Sequence, residues 1–278
     1  MNDALLKGRY EILEILGRGG QGETFLARDT HDDRLVAVMR LSVFQAQNWK
    51  GIELFEREAE ALSRLSHEAI PSYLDSFHIE DDDEVHFYLV QRYIEGEDLL
   101  RQMKAGLRFD EDGAKAFLKE MLEILVYLHG FAPPIIHRDI KPSNIMRRPD
   151  GSLALIDFGA VQTVIASTLG GSTIVGTTGF IAPEQFFGQA LPASDLYSLG
   201  ATMVQLLTHK HPSELEMEMM KLQFRNFINV SEELILLLER LLEPTVEDRF
   251  QSAREALDYE RNPFIGRVLG SINAALEL

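Results

Sequence analysis

The run Gly17-Arg18-Gly19-Gly20-Gln21-Gly22 limits the folds open to this chain more than any other segment does. A G-x-G-x-x-G bend serves two architectures. One, the dinucleotide-binding fold, needs a helix directly after the glycines. Here Glu23-Thr24-Phe25-Leu26 follows, which reads as a strand, so the glycines are expected to close a hairpin. Further strands are expected over 10–16, 23–27, 35–41, 72–78 and 85–93, with an acidic turn at 29–33. A helix is expected over 51–65, with Leu54, Ala61, Leu62 and Leu65 on its apolar side. Phe117, Met121, Leu125 and Leu128 then repeat at helical spacing and mark a buried central helix in a mainly helical second half. Strands first and helices after give an α+β chain.

The 278 residues suit one large domain or two small lobes, and 45% hydrophobic content is ample for a packed core. With 44 acidic against 27 basic residues the net charge is −17, which argues against a nucleic-acid or anionic-membrane surface. The run Asp81-Asp82-Asp83-Glu84 reads as a solvated turn between two strands rather than a metal site. There is no cysteine, hence no disulfide, zinc-thiolate site or thiol nucleophile. The first seven residues lack the apolar run of a signal peptide, and no stretch is long and apolar enough to span a bilayer. A soluble, cytoplasmic chain is expected.

The chemistry is concentrated in His137-Arg138-Asp139-Ile140-Lys141-Pro142-Ser143-Asn144, followed by Asp157-Phe158-Gly159. A reacting hydroxyl must be oriented and its proton accepted, which suits the carboxylate of Asp139. Mg²⁺ prefers hard oxygen ligands and keeps several waters, so Asn144 and Asp157, with the phosphates of ATP, would suffice to hold it. Lys141 would neutralise charge on the transferring phosphoryl group.

With the glycine bend, this motif set resembles the eukaryotic-type (Hanks-type) serine/threonine protein kinases, bacterial members included, over nearly the whole chain. The resemblance implies the bilobal kinase fold: a small, mainly antiparallel β N-lobe with one long helix (about 1–92), a hinge (about 92–96) and a larger helical C-lobe (about 97–278). It implies that Gly17, Gly19 and Gly22 lie over the phosphates, that Thr24, where the family pattern has Val, covers the base, and that Ala37 and Met146 sandwich the adenine. Gln91 becomes the gatekeeper, the backbone of Arg92 and Ile94 meets the adenine edge, and Asp98 reaches the ribose. Glu58 would be the helix acid that pairs with the strand lysine. Glu184, Asp195 and Arg249 are assigned architectural roles: the first and last pair, and Asp195 braces the catalytic loop. Lys141 and Thr177 resemble the serine/threonine branch, so the partner is a protein with a Ser/Thr acceptor. Arg138 implies a phosphorylated activation loop, for which Thr173 is the first choice among Ser167, Thr168, Ser172 and Thr173. Bacterial relatives often continue beyond the kinase domain, so this chain is read as a possible fragment. The sequence leaves the substrate and the oligomeric state open.

One part of the set is missing. Leu35-Val36-Ala37-Val38-Met39-Arg40 matches V-A-[IV]-K, except that Met39 stands where the phosphate-binding lysine belongs. Methionine fills the space without the charge. Strand alternation puts Arg40 with Val36 and Val38, away from the face of Ala37 and Met39. Arg18 and Lys50 are other candidate donors. Losing one preorganised electrostatic contact costs about 3–4 kcal/mol, a hundred- to thousandfold in rate. Two readings follow: a kinase silenced at one position, or a natural pseudokinase serving as a nucleotide- or partner-binding scaffold. The first is favoured, since Asp139, Lys141, Asn144, Asp157 and Gly159 are all intact.

Overall fold

The computed structural model describes residues 5–19, 22–44, 59–60, 62–81, 84–158 and 178–261. They form two compact units: Met1–Gly96 with Met146–Thr173, and Glu97–Ile145 with Ile174–Leu278.

The first unit is built on an antiparallel sheet of β1 (Tyr10–Gly19), β2 (Gly22–Asp29), β3 (Arg34–Phe44), β4 (Tyr73–Asp81) and β5 (Glu84–Arg92), in the order β1-β2-β3-β5-β4. The glycine bend does join two strands, with Gly19 opposite Gly22 and Gly17 opposite Thr24. The acidic run closes a hairpin as well, since Asp81 pairs with Glu84 across the end of β4 and β5.

Side-chain alternation sorts the sheet into two faces. On one, Val36 and Val38 join Tyr10, Ala27, Tyr88 and Val90 in a buried cluster, with Phe25 and Phe77 packed against it. The Tyr10 hydroxyl donates to Asp75 Oδ2 at 2.9 Å. Burial, reinforced by that carboxylate, raises the Tyr10 pKa well above the usual phenol range. On the other face, Ala37 stands opposite Leu26 and Gln91, and Met39 opposite Thr24 and Leu89.

Of the helix expected over 51–65, residues 59, 60, 62 and 63 are helical, and Ala59, Leu62 and Leu65 are buried. Residues 51–58 and 61 lie outside the described residues. The segment after the catalytic loop packs with this first unit: Leu155 N–H donates to the Ala69 carbonyl at 2.9 Å, and the Arg148 guanidinium donates to the Glu68 carbonyl. Gly96 ends the unit's first stretch with φ 147°, and a Cβ there would come within 2.5 Å of the Arg147 carbonyl oxygen. Glycine is required on both counts.

The second unit begins with β6 (Glu97–Asp98) and α1 (Leu99–Lys104), which Asp98 caps by accepting from Arg101 N–H at 2.9 Å. Next comes α2 (Glu111–His129), whose buried side includes Phe117, Met121, Leu125 and Leu128, the stripe read from the sequence. The short strands β7 (Ile145–Arg147) and β8 (Leu153–Leu155) follow in the chain, where it returns to the first unit. Beyond them α3 (Pro192–Thr208) is buried on every side from Ala193 to Leu206, as a helix enclosed by its neighbours must be. It packs on α4 (Glu232–Leu241), and α2 packs on α5 (Ala253–Arg261). At Gly200 of α3 a Cβ would press to 3.0 Å from Leu241 Cβ and Leu242 Cγ, so glycine sets the α3–α4 approach. Between α3 and α4 lies a small hairpin, β9 (Met217–Glu218) with β10 (Lys221–Leu222).

Candidate active site

The second unit holds Asp139, Lys141 and Asn144 on one short loop. Pro142–Asn144 forms a single 3-10 turn, in which the Asn144 N–H donates to the Lys141 carbonyl at 2.9 Å. That turn brings the three side chains together. Asp139 Oδ2 accepts from Lys141 Nζ at 2.6 Å and from Asn144 Nδ2 at 3.0 Å, and Asn144 Nδ2 also donates to the Asp139 carbonyl at 2.8 Å. The amide is 4% exposed and oriented by these bonds, so its Oδ1 points away from Asp139 and, among the described residues, receives only the Ser143 hydroxyl, at 3.3 Å. An acceptor oxygen held this way suits a hard cation.

The loop's backbone is held from outside. Asp195, fully buried on α3, accepts Arg138 N–H at Oδ1 (2.8 Å) and His137 N–H at Oδ2 (2.8 Å). Its Oδ2 also meets His129 Nε2 at 2.9 Å. Arg138 adopts φ 71°, a conformation few non-glycine residues hold unless the surroundings fix it. The bracing role expected of Asp195 is therefore visible in the geometry. Three further contacts were not read from the sequence. Thr202 Oγ1 donates to the Ile140 carbonyl at 3.2 Å, Gln185 Nε2 donates to the Arg138 carbonyl at 3.2 Å, and His129 joins Asp195. Thr202 lies seven residues after Asp195 on a buried helix, so a polar step in an apolar element could have flagged it. Gln185 and His129 carry no such signal.

Glu184 and Arg249 meet as expected, Nη1 to Oε1 at 2.8 Å and Nη2 to Oε2 at 3.2 Å. Burial alone would push the Glu184 carboxyl up, but the Arg249 and Ser194 hydrogen bonds outweigh it and hold the pKa below the ordinary glutamate range.

In the first unit, Asp157 adopts φ 61°, another uncommon backbone state for a non-glycine residue. Among the described residues a Cβ on Gly17 would meet no atom within 4 Å, and its φ does not demand glycine. Met39 is 8% exposed, Ala37 and Met146 are half-buried, and Gln91 is buried. The Arg92 N–H donates to the Ser72 carbonyl at 2.9 Å, and Ile94 is buried. Asp98, expected at the ribose, also acts locally, since besides capping α1 it pairs through Oδ2 with Arg101 Nε at 3.2 Å.

Arg40 stands on the face away from Met39. Its guanidinium lies over the Phe25 ring, 5.5 Å from the centroid, and Arg40 Nη2 pairs with Glu23 Oε2. Arg18 Nε pairs with the other oxygen of Glu23 at 2.8 Å. Glu58, Lys50, Gly159, Thr173 and Thr177 lie outside the described residues, as do Ser167, Thr168 and Ser172. Among the described residues no helix is long and apolar enough to cross a membrane.

Comparison with known proteins agrees with this arrangement. The family model described as "Protein kinase domain" matches residues 10–260. Serine/threonine-protein kinase B of Synechocystis sp. is 39% identical over 279 residues, covering 92% of this chain and 47% of that protein. Serine/threonine-protein kinase PknA of Nostoc sp. is 34% identical over 275 residues, covering 92% of this chain and 47% of its own. The chain thus spans about half the length of these curated relatives. A solved structure titled "PpkA-294 apo form" shares the fold with a TM-score of 0.71 at 24% identity, covering 92% of this chain and 99% of that one. An antiparallel-sheet unit, a helical unit, the braced Asp139 loop and a family match over 10–260 lead to one conclusion: this chain belongs to the protein kinase family, as a bacterial Hanks-type kinase domain.

Proposed function

We propose that the chain is a serine/threonine protein kinase domain whose phosphoryl transfer is crippled by Met39. The observation that carries the reading is the Asp139 carboxylate, fixed by Lys141 at 2.6 Å and Asn144 at 3.0 Å on a loop clamped from α3. A carboxylate positioned in this way orients an acceptor hydroxyl and takes its proton at an oxygen already aimed. Lys141 counters the negative charge that grows beside Asp139. ATP with Mg²⁺, when bound, supplies the phosphoryl group and most of its charge neutralisation. The residues that would hold the metal are Asn144, through Oδ1, and Asp157, a donor set of one amide and one carboxylate oxygen that suits Mg²⁺. Gly17, with open space where a Cβ would stand, fits a backbone that approaches phosphate. Ala37, Gln91, Arg92, Ile94 and Met146 are assigned to the base, and Asp98 to the ribose.

Met39 removes the cation that would clamp the α- and β-phosphates. Arg40 and Arg18 do not take its place in this reading, because both are engaged by Glu23. Nucleotide binding should persist while turnover falls about a hundred- to thousandfold. The acceptors are protein Ser/Thr hydroxyls, with autophosphorylation at Thr173 as one case.

The test is intact mass after incubation with Mg²⁺ and ATP, on this chain beside Met39→Lys. Phosphate gained by the lysine form alone supports the reading. If neither form gains phosphate although both bind nucleotide, the chain is a pseudokinase scaffold. Turnover by the unaltered chain would mean another cation serves, and the assignment of Arg40 would be the first to go.

A further inference from the structure

We propose that the tip of the β9–β10 hairpin, Met219 foremost with Met220 beside it, is a modification site at which a peroxide-class oxidant converts methionine to its sulfoxide. The tip departs from expectation in two independent ways. First, it exposes large apolar side chains: Met219 is 88% exposed, Met220 60% and Met217 56%. Second, Met219 and Met220 sit at φ 48° and 64°, the paired left-handed states of a primed hairpin turn, where Asn-Gly is the usual choice. Neither residue is there for the sake of the turn. The sulfur is what distinguishes this tip.

The base of the hairpin is firm. Leu215, Leu222 and Phe224 are buried, and Gln223 N–H donates to the Glu216 carbonyl at 2.9 Å. Lys221 Nζ pairs with Glu243 at 2.6 Å. A secured base holds the thioethers out in water. By contrast Met121 and Met203 are fully buried, and the chain has no cysteine to compete for oxidant.

With hydrogen peroxide, a sulfur lone pair attacks one peroxide oxygen, the S–O bond forms as the O–O bond breaks, and the other oxygen leaves as hydroxide, which takes the proton of the transferred hydroxyl to give the sulfoxide and water. Methionine loses two electrons and the peroxide gains them. An apolar tip becomes polar, and the sulfoxide can be returned to methionine by a dithiol reductase.

The experiment exposes the full chain to limiting hydrogen peroxide and maps oxygen uptake by peptide mass over time. Met219 should take up oxygen first and at least about tenfold faster than Met121 or Met203, with Met220 and Met217 next. The same series in denaturant should level the rates. Comparable rates in the folded chain, or a preference for Met219 that survives denaturation, would overturn the assignment. A Met219→Leu/Met220→Leu variant keeps the tip apolar without its sulfur. Because Met217 remains, its retention on a hydrophobic-interaction column should fall less under peroxide than that of the parent; equal falls in both would place the reactive sulfur elsewhere.

Discussion

Arg249 and Glu184 form an enclosed ion pair in which almost nothing is left to solvent: the arginine side chain is 0% exposed and the glutamate side chain 6%. The remaining guanidinium hydrogens go to the carbonyls of Glu243, Pro244 and Ala193, and Ser194 Oγ donates to Glu184 Oε1 at 2.6 Å. A pair so fully satisfied is costly to halve. Arg249→Met or Glu184→Gln alone should lower stability by about 3–5 kcal/mol, because the surviving partner stays buried and uncompensated. Urea unfolding of each variant and of the double variant checks this. The double loss should be smaller than the sum of the two.

Acid should weaken the same pair in a defined direction. The folded Glu184 carboxyl titrates below its ordinary range, so its stabilisation is complete above that range and is lost as pH falls through the lowered value. In Glu184→Gln this acid-side loss should disappear from a plot of unfolding free energy against pH. A curve unchanged from the parent would show that the pair does not couple to the fold.

Glu111 ties α2 to the start of α4, since its Oε2 accepts the Ser231 N–H at 2.7 Å while Oε1 meets Lys115 Nζ at 2.6 Å. Lys115 chiefly, and then Ser231, hold its pKa down to about 2. The stabilisation is therefore fully present above about pH 4.5 and fades as pH drops toward 2. Glu111→Gln should flatten the stability curve across that window, read by thermal unfolding at stepped pH.

Asp195→Asn keeps the shape and spoils the chemistry. One carboxylate oxygen becomes an NH₂ facing N–H donors, at His137 and His129 or at Arg138. Stability should fall by about 1–3 kcal/mol. The more telling readout is amide hydrogen exchange: the His137 and Arg138 amides should exchange faster while those of α4 keep their protection.

Replacing the hairpin tip by Met219→Asn/Met220→Gly supplies residues suited to positive φ. Left-handed backbone costs an L-residue roughly 1–2 kcal/mol, part of which glycine returns as chain entropy, so a net gain of about 1 kcal/mol is expected. A loss in urea unfolding would mean that the methionine side chains themselves hold the turn.

Much of this was legible in the residues. The hairpin after Gly22 followed from the strand character of Glu23 to Leu26, and the α2 stripe from the spacing of Phe117, Met121, Leu125 and Leu128. The Asp139 loop was legible because its chemistry needs a fixed order of side chains within a few residues. Gln185 and His129 were not, because their contribution depends on which distant peptide group they face, and no short-range pattern encodes that. Asp98 shows a different limit. The motif assigns it to a ligand, while local backbone chemistry makes it a helix cap, and one side chain can answer to both. The Met219-Met220 turn was missed because turn rules look for Asn and Gly.

Asp195, Thr202 and Gln185 share a habit with a long consequence: they grip peptide groups at His137, Arg138 and Ile140, not side chains. The shape of the loop is thereby insulated from the identity of the residues it displays. A side chain displayed on this loop can change without the architecture beneath it being rebuilt.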